Sequence, residues 1–149
     1  MPQDSGVSTI AHVIQLAVAP VFLLTGVASL LGVLTNRLAR IIDRARVLEE
    51  RLGILGGTER ASSEADLHTL SQRARHINLA IRLCVSCALL ICAVIAALFT
   101  GAFLEADVST LIGAVFIAAM GALIVALVSF LLEISIATRS LRIGQGQRS

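Results

Sequence analysis

Residues 10–34 read IAHVIQLAVAPVFLLTGVASLLGVL, a run that contains no formally charged residue. Two more apolar runs follow, LCVSCALLICAVIAALFTGAFL at residues 83–104 and VSTLIGAVFIAAMGALIVALVSFLL at residues 108–132. Each exceeds the roughly 20 residues that a helix needs to cross the hydrocarbon core of a bilayer. A membrane-spanning strand needs only about 10 residues, so runs of this length exclude a closed β-barrel. The sequence therefore predicts an all-α protein with three transmembrane helices.

The composition agrees with a membrane protein and excludes several functions. Of the 149 residues, 56% are hydrophobic and 15% charged, whereas soluble domains carry about 25% charged residues. Trp and Tyr are absent, so the aromatic platforms that hold single-stranded nucleic acids are missing, and we expect no nucleic-acid partner. All twelve basic residues are Arg, which excludes a Lys nucleophile or Schiff base. We expect one membrane domain over residues 1–149.

The arginines predict the direction of the chain across the membrane. Nine lie between residues 36 and 82, and the other three lie in the C-terminal tail, residues 134–149. The N-terminal segment and residues 105–107 carry acidic residues only. By the positive-inside rule, the N-terminus is predicted outside, whereas residues 36–82 and the basic tail are predicted in the cytoplasm.

Residues 36–82 carry two apolar stripes at three- and four-residue spacing. They comprise Leu38, Ile41, Ala45, Leu48 and Leu52, then Leu67, Leu70, Ala74, Ile77 and Ile81. A glycine-rich break at residues 53–58 separates them, and Ser62 or Ser63 is expected to cap the returning helix. The mirrored spacing predicts an antiparallel helical hairpin in the cytoplasm, with Ala45 opposite Ala74. The alternative is two separate amphipathic helices on the membrane surface.

Within the membrane, two patterns predict packing faces. Small residues recur every four positions in spans two and three, and such rows are expected to pack against each other: Cys84, Ala88, Cys92, Ala96 and Thr100, then Ala114, Ala118, Ala122 and Ala126. Span one has a leucine-rich face, expected to meet span two, and a polar face that includes Gln15, Thr25, Gly26 and Ser29. This polar face is expected to meet protein or water. It could pack on span three of the same chain, but we favour self-association around a symmetry axis.

No cofactor, metal site or catalytic residue is expected. Cys84 and Cys87 form a CxxC pair, but both lie in an apolar helix and are interpreted as small packing residues. Glu133 ends span three, where an unpaired carboxylate is costly. We expect an ion pair with Arg37 or Arg82, which end the other spans at the same depth. The alternative is a carboxylate that reaches into the headgroups.

Four stretches carry a resemblance to a known family: residues 14–26, 34–46, 73–78 and 130–134. They resemble a family of small bacterial membrane proteins, domain of unknown function 2721, although that family usually has Leu where His76 stands. The resemblance implies a location in the bacterial inner membrane and supplies no activity or catalytic residue. It favours residues 36–46 as the functional region. The candidate functional or ion-pairing residues are Asn36, Arg37, Arg40, Asp43, Arg44, Arg75, Asn78, Arg82 and Glu133.

Two functions remain open at this stage. The first is a non-enzymatic binding or scaffold protein whose Arg-rich cytoplasmic hairpin docks anionic lipid headgroups or a cytoplasmic partner. The alternative is a homo-oligomeric ion channel or transporter lined by the polar face of span one. No ring of acidic residues and no inverted repeat marks a path through the membrane, which favours the first function.

Overall fold

The computed structural model describes residues 3–53, 57–104 and 108–143, with side chains at 10–53, 57, 59–104 and 108–135. It contains three helices: α1 Gln3–Leu52, α2 Thr58–Leu104 and α3 Ser109–Ile143. All three are long and apolar enough to span a membrane, and no strand occurs in the described ranges. The predicted all-α fold with three candidate membrane spans is confirmed.

The turn between α1 and α2 is shorter than the sequence predicted. Gly57 has a φ of 66°, a left-handed conformation that glycine adopts without a steric penalty, and α2 begins at the next residue, Thr58. The expected start at Ser62 or Ser63 is therefore wrong. Ser62 already lies inside α2, where its hydroxyl donates to the Glu59 carbonyl oxygen at 2.9 Å. Residues 54–56 lie outside the described ranges.

The first of two compact units comprises Met1–Leu31 and Leu83–Ile124. Its buried hydrophobic side chains are Val13, Ala17, Val27, Cys84, Cys87, Ile91, Val94 and Ala119. On α2 these positions alternate three- and four-residue steps, which keep a stripe on one side of a helix. Cys84 and Cys87 therefore lie in a packing stripe. Helix α1 continues through Pro20 without ending.

The small-residue rows predicted for spans two and three are buried only in part: Cys84 and Ala126 have no exposed surface, but most other members do. Cys92, Ala96, Ala114 and Ala118 are exposed in the isolated chain. A row of four-residue steps turns by about 40° per step around a helix, so sixteen residues carry it through about 160°. A row of this kind therefore turns around the helix and cannot stay on the buried side along its whole length. The buried alanine of α3 in this unit is Ala119.

The second unit comprises Gly32–Arg82 and Val125–Ser149. Its buried residues are Leu34 and Ile41 on α1, Leu70, Ile77 and Ala80 on α2, and Ala126, Ser129 and Glu133 on α3. Three helices therefore contribute to this core, whereas the sequence predicted a packed pair. The end of α3, predicted as a basic tail, is helical to Ile143.

The third helix changes which side of α2 is buried. The predicted stripe contained Ala74 and Ile81, both half-buried, whereas Ala80 has no exposed surface. At 100° per residue, Ala80 lies about 120° from Ala74 around the helix. The core-facing side of α2 is thus rotated away from Ala74 and toward Ala80, because α2 contributes to a core shared by three helices.

Candidate functional site

The second unit is organised around one fully buried carboxylate, that of Glu133 on α3. Arg37 on α1 donates from Nη1 to Glu133 Oε2 at 2.6 Å. Arg73 on α2 donates to Glu133 Oε1 from Nη2 at 2.9 Å and from Nε at 3.1 Å. Both carboxylate oxygens are therefore occupied by charge-assisted hydrogen bonds. One acidic side chain links three helices.

The expected pair between Glu133 and Arg37 is confirmed, and Arg73 supplies the second guanidinium in place of Arg82. Arg82 is exposed and forms no ion pair with a described residue. The predicted register put Arg37 level with Arg82, nine residues or about 13.5 Å from Arg73 along α2. The shared carboxylate instead favours a register that brings Arg37 and Arg73 to similar levels. The ends of the helices agree with this register, because Arg37 lies as far before the end of α1 at Leu52 as Arg73 lies after the start of α2 at Thr58.

The sequence contained a signal for Arg73 that a helical projection reveals. Arg73 lies about 40° around the helix from the buried Ile77, whereas Arg75 lies about 160° from it. Arg75 was selected as a candidate, but it is exposed and does not line the site. The direction of the apolar stripe on α2 was therefore enough to predict that Arg73, and not Arg75, lies beside the core.

An aromatic ring completes the environment of Arg37. The guanidinium carbon Cζ lies 5.2 Å from the ring centroid of Phe130, within the range of a cation–π interaction. Phe130 precedes Glu133 by one turn of α3, so both groups contact the same arginine. These two contacts fix the direction of the Arg37 side chain.

A cleft of about 290 Å³ lies beside the buried carboxylate, within the second unit. It is lined by Arg37, Arg40, Ile41, Arg44, Leu70, Arg73 and Glu133. We call its four arginines, Arg37, Arg40, Arg44 and Arg73, the arginine cluster. Four guanidinium groups face one carboxylate, so three positive charges are not balanced by an acidic group of the lining.

Arg40 and Arg44 differ from the other two arginines of the cluster. Both are exposed, and neither forms a hydrogen bond or ion pair with a described residue. Asp43, Glu49 and Glu50 lie on α1 near these arginines but form no ion pair with a described residue. The described ion pair between residues one turn apart is Arg60–Glu64 at 3.2 Å, on α2. Two guanidinium groups of the cleft are therefore available to a ligand.

Other predicted candidates lie outside the cleft. Asn36, Asp43, Asn78 and Arg82 are exposed and do not line it. Of the nine candidate functional residues, the structure brings together four: Arg37, Arg40, Arg44 and Glu133.

The predicted polar face of span one is exposed in the isolated chain, at Gln15, Thr25, Gly26 and Ser29. Its hydroxyl groups are nevertheless satisfied within α1. Thr25 Oγ1 donates to the Val21 carbonyl oxygen at 3.3 Å, and Ser29 Oγ donates to the Thr25 carbonyl oxygen at 3.0 Å. Such bonds reduce the cost of exposing a hydroxyl to lipid. The Thr25 and Ser29 hydroxyls therefore do not require water or a second chain.

The described residues include no group of three His, Cys, Asp or Glu side chains close enough to hold a metal ion. Cys84 and Cys87 are free thiols buried in the first unit, and Cys92 is a free, exposed thiol. Among the described residues, the functional groups that the fold brings together are the guanidinium groups of the arginine cluster.

Comparison with known proteins identifies one family. A family model described as "Protein of unknown function (DUF2721)" matches residues 17–143, which include α2, most of α1 and all of α3 as far as Ile143. No curated protein and no solved structure shows significant similarity to the chain.

Proposed function

Since the chain belongs to the DUF2721 family of proteins of unknown function, we propose its role from the geometry of its arginine cluster. It is a non-enzymatic binding or scaffold protein of the bacterial inner membrane. The helical segments between spans one and two form its cytoplasmic part, and their arginines dock anionic lipid headgroups. The observation that best supports this role is that four guanidinium groups line a cleft that holds one carboxylate.

The charge distribution supports a lipid surface as the partner. Each Arg or Lys near an anionic leaflet contributes about 1 kcal/mol of attraction, and nine arginines lie in residues 36–82. That attraction acts only within about a Debye length, so the arginines must lie close to the membrane. Arg37 follows the apolar run of span one by three residues, and Glu133 follows that of span three directly. The cluster therefore begins at the edge of the apolar segments.

The proposed orientation places the N-terminus outside and the C-terminus in the cytoplasm. It is supported by the distribution of the arginines, none of which lies before residue 37 or between residues 83 and 138. In this orientation the arginine cluster faces the cytoplasmic leaflet, in which anionic lipids generate a negative surface potential.

The lipid preference of the whole chain tests the proposed function. We expect the chain, reconstituted in nanodiscs of phosphatidylcholine and phosphatidylglycerol, to retain phosphatidylglycerol in excess of its bulk fraction when native mass spectrometry detects the bound lipids. Because the attraction is electrostatic, reconstitution at about 0.5 M salt should reduce the excess. Retained lipids that match the bulk composition at low salt would contradict the function.

The alternative is a homo-oligomeric channel or transporter lined by the polar face of span one. The exposure of Gln15, Thr25, Gly26 and Ser29 in the isolated chain favours it, because a symmetry axis would cover them. The local hydrogen bonds of Thr25 and Ser29 weaken this argument, since their hydroxyls do not require a partner. Ion flux through purified protein in liposomes would favour the alternative.

A further inference from the structure

We propose that the cleft beside Glu133 is a binding site for the phosphate group of one anionic phospholipid, with Arg40 and Arg44 as the groups that hold it. This inference rests on the proposed function and makes it specific. On a diffuse basic surface, all the arginines attract headgroups without holding any one of them. In a defined site, a few arginines bind one phosphate group. The structure distinguishes Arg40 and Arg44 from the exposed arginines elsewhere on α1.

The cluster divides into two pairs with different roles. Arg37 and Arg73 are bound to the buried Glu133, so their side chains are fixed in place. Arg40 and Arg44 lie one turn apart on α1, line the same cleft, and have no partner among the described residues. The fixed pair gives the cleft a positive wall, and the free pair supplies the hydrogen-bond donors. Guanidinium groups suit this role because they bind phosphate oxygens in a planar, bidentate geometry.

Glu133 does not prevent an anion from entering. Its Oε2 accepts from Arg37 and its Oε1 accepts from Arg73, so its charge is already balanced by two guanidinium groups. Four arginines and one carboxylate leave the lining with a net charge of +3, of which the free Arg40 and Arg44 supply two. A phosphodiester carries one negative charge, so two free guanidinium groups are sufficient to neutralise it.

The position of the cleft favours a lipid over a free anion. Arg40 and Arg44 lie six and ten residues after Leu34, the last residue of the apolar run, or about 9 and 15 Å along α1. The headgroup layer extends about 5–8 Å beyond the hydrocarbon core. Side chains of a helix lean toward its N-terminus, and on α1 that is the direction of span one. The side chains of Arg40 and Arg44 therefore start from α1 in the direction of the headgroup layer.

The size of the cleft and its apolar lining also fit a lipid headgroup. A volume of about 290 Å³ lies just below the range of small-molecule sites, which is roughly 300–1,000 Å³, and suits a small headgroup. Ile41 and Leu70 line it together with the charged groups. A phosphate with an attached glycerol presents both an anionic and a less polar part, which matches this mixed lining.

Two matched double variants test the site. R40Q/R44Q removes the free pair, and R46Q/R51Q removes the same charge from exposed positions of α1 outside the cleft. In nanodiscs of phosphatidylcholine and phosphatidylglycerol, we expect R40Q/R44Q to lower the affinity for a single bound phosphatidylglycerol at least roughly tenfold, as native mass spectrometry measures it. We expect R46Q/R51Q to lower it less than about twofold. Circular dichroism should show the same helix content in both variants, because neither touches a buried contact.

The outcomes separate the site from the proposed function. Equal losses in the two variants would overturn the site and leave a diffuse arginine surface. No excess phosphatidylglycerol on the unmodified chain would overturn the proposed function itself, and the site with it. Binding of inorganic phosphate to the chain in pure phosphatidylcholine, lost in R40Q/R44Q, would overturn the lipid as the occupant. A fall confined to R40Q/R44Q, without such phosphate binding, is the result expected.

Discussion

Replacing Arg37 and Arg73 together by Gln should destabilise the fold by about 3–5 kcal/mol, the usual cost of leaving a buried charge without its partners. Glu133 has no exposed surface, and these two arginines supply all the hydrogen bonds that its carboxylate receives from described side chains. The double variant leaves that buried carboxylate without either of its charged hydrogen-bond donors. Unfolding of the purified chain in mixed micelles with increasing dodecyl sulfate measures the loss.

The control is R46Q/R51Q, which makes the same change in charge at exposed positions and should shift stability by less than about 0.5 kcal/mol. Adding E133Q to the first variant removes the buried charge itself, so the triple variant should recover at least half of the loss. If R37Q/R73Q unfolds like its control, the buried ion pair does not hold the three helices together.

Replacing Ala80 by Leu should destabilise the fold by about 1–3 kcal/mol, because added methyl groups in a packed core force neighbouring side chains to move. Ala80 has no exposed surface and faces the core to which all three helices contribute. Ala and Leu have similar helix propensities, so packing dominates the effect. The same unfolding titration measures it.

Ala74→Leu is the matched control, because it makes the same substitution on the same helix at a half-buried position. We expect it to cost clearly less than Ala80→Leu. The register predicted from the sequence, with Ala74 opposite Ala45, requires the reverse order. A larger loss at Ala74 would therefore restore the predicted register and contradict the rotated face of α2.

Features that depend on one helix at a time could be predicted from the sequence. The three apolar runs decide the fold class because the length of a run alone determines whether a helix can span a bilayer. The position of Glu133 at the end of span three predicted a paired carboxylate, since the cost of an isolated charge depends on depth. The pair with Arg37 followed because both residues end apolar runs at the same depth.

Features that depend on a third helix could not be predicted in the same way. The stripes of residues 36–82 were interpreted as the interface of two helices, but α3 contributes Ala126, Ser129 and Glu133 to that core. Its contribution rotates the buried face of α2 and selects Arg73 rather than Arg82. Ala80 lies about 120° from Ala74 around α2, outside the stripe that the spacing defines, so a pattern for two helices could not place Ala80 in the core.

The small-residue rows show the same limitation inside the membrane. An alanine-rich helix presents small residues in several directions, so spacing alone does not identify the row that packs. In α3 the buried alanines Ala119 and Ala126 are seven residues apart, a step that returns to nearly the same side of the helix. Ala126 belongs to the predicted row, but Ala114 and Ala118 of the same row are exposed.

The placement of the arginine cluster at the cytoplasmic surface is tested most directly by side-specific labelling. Single cysteines replace Ser5 or Arg51 in a chain whose native cysteines are changed to Ala, and a membrane-impermeant maleimide is added to spheroplasts or to inverted vesicles. We expect Ser5→Cys to react in spheroplasts and Arg51→Cys only in inverted vesicles. Labelling of Arg51→Cys in intact spheroplasts, with Ser5→Cys protected, would contradict the orientation and the lipid site that depends on it.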